Sequence, residues 1–245
     1  MKDFPGLRLC YVRLGVADLE SASRFFVDVL GLEAITGDSR QANFRSDARY
    51  ASLSVIRGGT PSIGIELDDD ESLDLVAARI AGGGFVAREA NEAECAQRFV
   101  RRALLASDAA GNAIDFVVRP AVAARPFYPS VDAGICGLHA VALRSRDIVR
   151  DVRFWSGILG VRTSDWVGDI TYMRLEGGHH QLALYPSDRD GILYHAYAVD
   201  GLDAIMRNKY FLEGRAVNIV HGPGRETVSE ETFVRFGGPG DTLCA

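Results

Sequence analysis

Cysteine is scarce in this chain. The four residues Cys10, Cys95, Cys136 and Cys244 are widely scattered, with no C-x-x-C pair. Such spacing excludes a disulfide framework and a zinc ribbon, and suits a reducing compartment. Basic charge is also short: 27 Lys and Arg stand against 33 Asp and Glu, for a net charge of −6. Nucleic acid and anionic membranes both need a basic patch, so neither is expected as a partner. No apolar run approaches the roughly 18 residues of a membrane span. The opening MKDFPGLRLC has no apolar h-region, and the expectation is a soluble, cytoplasmic protein. Several motifs are missing too. HGPGR (221–225) lacks the GxxxxGK[ST] spacing of a phosphate loop, and GIELDDDE (64–71) lacks the glycine and glutamate of a calcium loop. No G-x-S-x-G elbow occurs, and no cysteine lies near His180 in the repeat to act as a nucleophile.

What is present is ordinary globular composition, 47% hydrophobic and 24% charged, enough for one large domain or two small ones. An internal repeat decides between them. VADLESASRFFVDVLGLEA (16–34) lies above SRDIVRDVRFWSGILGVRT (145–163), so that Asp18 matches Asp147, Phe25-Phe26 matches Phe154-Trp155, and Leu30-Gly31 matches Leu159-Gly160. Each copy has an alternating strand (YVRLGV; HAVALR) followed by an Asp where a helix N-cap belongs. Apolar residues at helical spacing then lead to a terminating Gly. Strand-like runs follow, YASLSVI and SIGIEL in the first copy, TYMRLE, HQLALYP and HAYAVD in the second. Each half then has a further helix, LDLVAARIAGGG or LDAIMRNKYFLEG, and more strand-like sequence. Three of the eight prolines fall in RPAVAARPFYPSVDAG (119–134), which marks the linker.

Repeated βαβββ halves with D…FF…LG and D…FW…LG resemble the vicinal oxygen chelate superfamily of glyoxalases, bleomycin-resistance proteins and type I extradiol dioxygenases. GGHHQLALYP and HGPGRETVSEETFVRF narrow the likeness to two-domain extradiol enzymes of the 2,3-dihydroxybiphenyl and catechol 2,3-dioxygenase kind. The resemblance implies an α+β fold of tandem βαβββ modules in two cup-shaped mixed sheets. It also implies a structural domain over 1–120, a linker over 121–133, and a domain carrying the active site over 134–245. Homo-oligomers are expected from the resemblance and from open sheet edges.

The resemblance further implies an Fe(II) centre of two histidines and one carboxylate. Counted from Asp147, Leu202 and Glu226, the three ligand places fall on Ala140, Tyr194 and Ala245. In the first half the same places fall on Tyr11, Ser62 and Asp115. His139 and His195 each stand one residue out of register, and a one-residue shift on a strand turns a side chain to the other face. They are expected under the sheet with Val141, Leu143, Tyr197 and Val199, unless β-bulges turn them back. No metal or other cofactor is therefore expected. If Fe(II) or Mn(II) is bound, His139 and His195 are its candidate ligands, with the main-chain carboxylate of Ala245 or an acid beyond it as the third.

His180 stands at the superfamily's catalytic histidine, and as an acid–base group it needs no iron. Glu226 and Arg235 replace a His and a Tyr of the resembled enzymes, and are placed to pair or to hold an anion. The candidate catalytic set is His180, Tyr194, Glu226 and Arg235, with Ala140, His179 and Ala245 as substrate-binding positions. The leading expectation is a diverged relative that binds or converts a small aromatic or phenolic compound by acid–base chemistry. A working Fe(II) extradiol dioxygenase with shifted ligands, and a non-catalytic binding protein, are the alternatives.

Overall fold

The computed structural model describes residues 6–176 and 178–245. Its first half runs β1 (Arg8–Val16), α1 (Leu19–Asp28), β2 (Glu33–Ala34), β3 (Gln41–Arg45), β4 (Leu53–Arg57), β5 (Ser62–Leu67), α2 (Asp70–Gly82), β6 (Ala87–Glu89), α3 (Glu92–Arg98), β7 (Val100–Ser107) and β8 (Ala113–Pro120). The second runs β9 (Ile135–Ser145), α4 (Ile148–Val152), β10 (Arg162–Val167), β11 (Ile170–Arg174), β12 (Leu182–Pro186), β13 (Ile192–Val199), α5 (Leu202–Gly214), β14 (Ile219–Arg225), β15 (Thr232–Gly237) and β16 (Leu243–Cys244). The sheets have one topology: β2-β3-β4-β1-β5-β8-β7-β6 and β10-β11-β12-β9-β13-β16-β15-β14. In each, two parallel pairs meet at a central antiparallel pair, β1 with β5 and β9 with β13. This is the α+β fold of paired βαβββ modules.

The repeated capping signals act as the sequence suggests. Asp18 accepts hydrogen bonds from the amides of Glu20 and Ser21, and Asp147 accepts from Arg150. Gly31 and Gly160 both take φ +73°, the left-handed turn that stops each helix. The second copy departs in one respect: after Val152 the helix continues as a π-helical turn over Arg153–Ile158, which buries Phe154 and Trp155. α1 packs across the halves, with Phe26 6.0 Å from the His195 ring and Phe25 6.4 Å from Phe236. Phe85 meets Phe154 in the same way at 4.9 Å. The outer faces of both sheets thus share one apolar core, and the inner faces form two separate cups.

The cups differ in cover. α3, capped by Asn91 and Glu94 in a reciprocal box, inserts Cys95 over the first cup. At the equivalent point of the second sheet, β14 and β15 are joined by the hairpin 226–231, tied by Glu226 N–H to Glu231 C=O at 2.8 Å. HGPGR lies within β14 and opens no helix. Among the described residues, no helix is long and apolar enough to cross a membrane.

Candidate functional site

The second cup encloses a cavity of about 400 Å³. Ala142, Tyr172, Ala183 and Tyr194 form its floor, and alanines at two of these positions leave the room that the tyrosines line. Tyr172 and Tyr185 share a hydrogen bond at 3.0 Å between their hydroxyls. Burial, reinforced by Tyr185, pushes the phenols of Tyr172 and Tyr194 well above their ordinary value. Both are therefore neutral hydrogen-bonding groups at neutral pH, not bases.

Ala140, Tyr194 and Ala245 all line this cavity. Strand register explains why: Ala140 pairs with Ala196, Tyr194 pairs with Leu243, and the Ala245 amide donates to the His195 carbonyl. The first half has the same ladder, with Tyr11 opposite Gly64 and Gly64 opposite Asp115. There the three equivalent side chains converge on a single oxygen. Asp115 Oδ2 accepts from Tyr11 Oη at 3.0 Å, Ser62 Oγ at 2.9 Å and Arg98 Nε at 2.9 Å. In the second half the same convergence point is walled by two methyl groups and a phenol. Arg235 further occupies the space above that phenol, its Cζ 4.6 Å from the centre of the Tyr194 ring. The side chains of these three residues do not fit an Fe(II) centre: two carry no donor atom, and the third lies beneath the Arg235 guanidinium.

His139 and His195 part company. His195 is fully buried in the shared core, 3.7 Å from Cys244 Sγ, and its Nδ1 has no hydrogen-bond partner. Burial alone pulls its pKa down to about 4. It lies on the opposite face from the cup, which rules out the pairing of His139 with His195 as metal ligands. The expectation that His139 also lies under the sheet is wrong. The β9–β13 register passes from Ala140–Ala196 to Leu138–Tyr197, so His139 is the extra residue of a β-bulge and turns into the cup. Its Nε2 stands 3.2 Å from Glu231 Oε1. That hydrogen bond holds the Glu231 carboxyl below the usual range, with His180 and His179 adding to the effect.

His180 and Asp165 form the best-defined dyad of the cup. His180 Nε2 lies 2.7 Å from Asp165 Oδ2, and the imidazole stacks on Tyr172 at 4.5 Å and 26°. His180 is buried and lines the cavity, and its Nδ1 has no partner. His179 points to the rim, half-exposed, with Nδ1 3.4 Å from the same Asp165 oxygen, and does not line the cavity. Ser164 Oγ donates to the His179 carbonyl at 2.6 Å, which fixes the histidine turn. Ligand atoms of Asp165, His179 and His180 all lie within 4.8 Å of one another, a donor set able to hold a transition metal.

Arg235 and Glu226 pair as their positions suggest, Nη2 to Oε1 at 2.5 Å. The guanidinium also lies over Phe233, 4.4 Å from its centre, and its Nε is buried without a partner. Burial lowers the Arg235 pKa, but Tyr194, Tyr185 and Glu226 more than offset this, so its pKa lies above the ordinary value. Asp165, Glu231, Tyr172 and Tyr185 are the site residues that sequence reasoning misses. Glu231 was within reach, because alternation from Arg235 through Phe233 places it on the same face. Asp165 was not, since a register shift between Thr163 and Asp165 re-aims its side chain.

Residues 137–242 match the model of the Glyoxalase/Bleomycin resistance protein/Dioxygenase superfamily. The chain is similar to the biphenyl-2,3-diol 1,2-dioxygenase of Pseudomonas sp. strain KKS102, 27% identical over 240 residues, which cover 86% of this chain and 82% of that one. It is also similar to the 3-methylcatechol 2,3-dioxygenase of Pseudomonas putida F1, at 25% identity over 217 residues, 81% of this chain and 75% of the relative. Among solved structures, a halotolerant catechol dioxygenase superposes with a TM-score of 0.91 at 21% identity, over 98% of this chain and 86% of that one. The Mn(II)-bound glyoxalase from Novosphingobium aromaticivorans gives 0.87 at 23%, covering 98% and 81%. The structural likenesses carry the fold alone.

Proposed function

We propose that the cup of the second half, where residues 137–242 match the Glyoxalase/Bleomycin resistance protein/Dioxygenase superfamily, binds or converts a small aromatic or phenolic compound by proton transfer, without an iron triad. The reacting cup lies in residues 134–245, joined through 121–133 to the domain of residues 1–120. The observation that carries the reading is the His180–Asp165 dyad opening onto an aromatic-floored cavity. Asp165 Oδ2 accepts a hydrogen bond from the Nε2–H of His180, which fixes the tautomer and leaves the Nδ1 lone pair as the base. A ligand hydroxyl that reaches Nδ1 gives up its proton there. The resulting phenolate lies beside the Arg235 guanidinium, whose charge favours the ionised form. Glu226 holds the guanidinium in place, Tyr194 supplies the ring beneath it, and Ala140 and Ala245 leave space for the ligand. This chemistry calls on no resident metal or organic cofactor. The names of the relatives, a biphenyl-diol and a methylcatechol dioxygenase, favour an aromatic ligand.

A visible reporter tests this. 4-Nitrophenol bound in the cup is expected to ionise about one unit below its value in water. The shift should survive dialysis against a chelator, and should be lost in His180→Gln and Arg235→Leu. Absence of saturable binding, or binding without a shift, overturns the proposal. A second reading rests on the Asp165, His179 and His180 donor set. A metal there supplies Lewis acidity, and His179 becomes a ligand as well as a rim residue. About one equivalent of iron or manganese in the purified protein, removed by the chelator with the ligand response and absent from Asp165→Ala, establishes that reading instead.

A further inference from the structure

The first cup is built on the same ladder as the second but with opposite chemistry. Arg13 pairs with Ser54 and Ser62, and Ser54 pairs with Asn43. In the second sheet the equivalent partners are Ala142 with Ala183 and Tyr194, and Ala183 with Tyr172. One floor is therefore Arg, Asn, Ser and Ser where the other is Ala, Tyr, Ala and Tyr. A polar floor with a guanidinium at its centre is costly to bury unless something compensates the charge.

Among the described residues no carboxylate forms an ion pair with it. Arg13 is only 5% exposed, and its one hydrogen bond runs from Nη1 to the Gln97 carbonyl at 3.3 Å. A guanidinium carries five donors, so most are unspent. Asp115 acts on Arg13 electrostatically but is committed to Arg98. Burial and the neighbouring Arg98 together pull the Arg13 pKa below its ordinary value, as expected of an under-compensated charge. Beside Arg13 opens a cavity of about 580 Å³, bounded by β3, β4 and the end of α3. Arg40 and Arg57 stand exposed at its rim, and its single lining carboxylate, Asp38, accepts from the amides of Arg40 and Gln41. Three arginines against one aspartate make this a positive locus in a chain of net charge −6.

We infer that the mouth of the first cup binds a small organic carboxylate, seated on the Arg13 guanidinium with its apolar part against Ile56 and Phe99. A planar carboxylate needs only the guanidinium fork. A phosphate would call for a nest of free amides, and of the three glycines that line the mouth, Gly58 and Gly59 already spend their amides on the Val16 and Ile56 carbonyls. The Asn43 amide is likewise occupied, its Oδ1 by Gln41 and Ser54 and its Nδ2 by Thr36. Arg13 is thus the anchor and Arg57 steers the ligand from the rim.

Isothermal titration of the full chain with benzoate, at constant ionic strength, tests the assignment. One site is expected, with a dissociation constant of about 1 mM or tighter. Binding should weaken at least about 10-fold in Arg13→Gln, which keeps a donor for Gln97, and about 3-fold in the exposed Arg57→Ala. It should persist in Arg235→Leu, which separates this site from the aromatic cup. If Arg13→Gln does not fold, the double variant Arg40→Ala/Arg57→Ala decides, and it should weaken binding about 10-fold. Equal binding to wild type and to the folded arginine variants overturns the inference, as does binding lost only in Arg235→Leu or tighter binding of inorganic phosphate than of benzoate.

Discussion

Asp115→Ala will unfold at a temperature on the order of 10 °C below wild type, the equivalent of about 3–5 kcal/mol. The carboxylate is almost wholly buried, and it receives Tyr11, Ser62 and Arg98 on one oxygen. Its loss strands the Arg98 guanidinium inside the cup, and a buried charge without its partner costs far more than the pair contributes. Ser62→Ala removes only one neutral donor and should cost about 1 kcal/mol. In the double variant Asp115→Leu/Arg98→Met the stranded charge is gone, so most of the loss should be recovered. Urea unfolding of the three variants checks the series. A double variant no better than Asp115→Ala would show that the cluster is held by shape and not by charge compensation.

The second large effect is a dependence on pH set by His195. Its folded pKa of about 4 lies below the ordinary 6.5, because burial disfavours the imidazolium. The unfolded chain therefore takes up a proton first as pH falls. Stability contributed by the neutral imidazole is complete above pH 6.5 and is lost progressively down to about pH 4, by about 3 kcal/mol in all. His195→Leu, among Phe26, Tyr197 and Cys244, removes the titration and keeps an apolar filling. Asp108 runs the other way: burial and Asp151 raise its pKa to about 7, so its contribution fades as pH rises. The difference between wild type and His195→Leu isolates the histidine. Urea midpoints should converge at pH 7.5 and separate in favour of the variant at pH 4.5. Parallel profiles would mean that His195 reaches water or a partner in the folded chain.

Much of the fold was legible because duplication writes the same signals twice. Asp18 and Asp147 cap their helices, and Gly31 and Gly160 end them with the same dihedral. The register count places Ala140, Tyr194 and Ala245 along one cup, and Tyr11, Ser62 and Asp115 around one oxygen. The site was harder to read wherever a strand breaks alternation. A bulge turns His139 from core to cup, and another aims Asp165 at His180. Neither bulge residue, His139 nor Ser164, is a glycine that would announce it. The π-helical turn that seats Phe154 and Trp155 was equally silent, since its residues read as continuous helix.

The aromatic contacts of α1 carry a practical corollary for dissection. Phe25 and Phe26 come from the first repeat, yet they roof Phe236 and His195 of the second. Scission at the proline-rich connector would leave the downstream fragment with a bare oily flank where that helix had lain, and such flanks drive self-association. The aromatic cup is thus poorly suited to life as a truncated module, although every side chain that lines it except Val29 and Leu30 is encoded beyond the connector or at its end. Those two residues follow directly on the last turn of that helix, so the upstream repeat supplies part of the wall of the downstream cup.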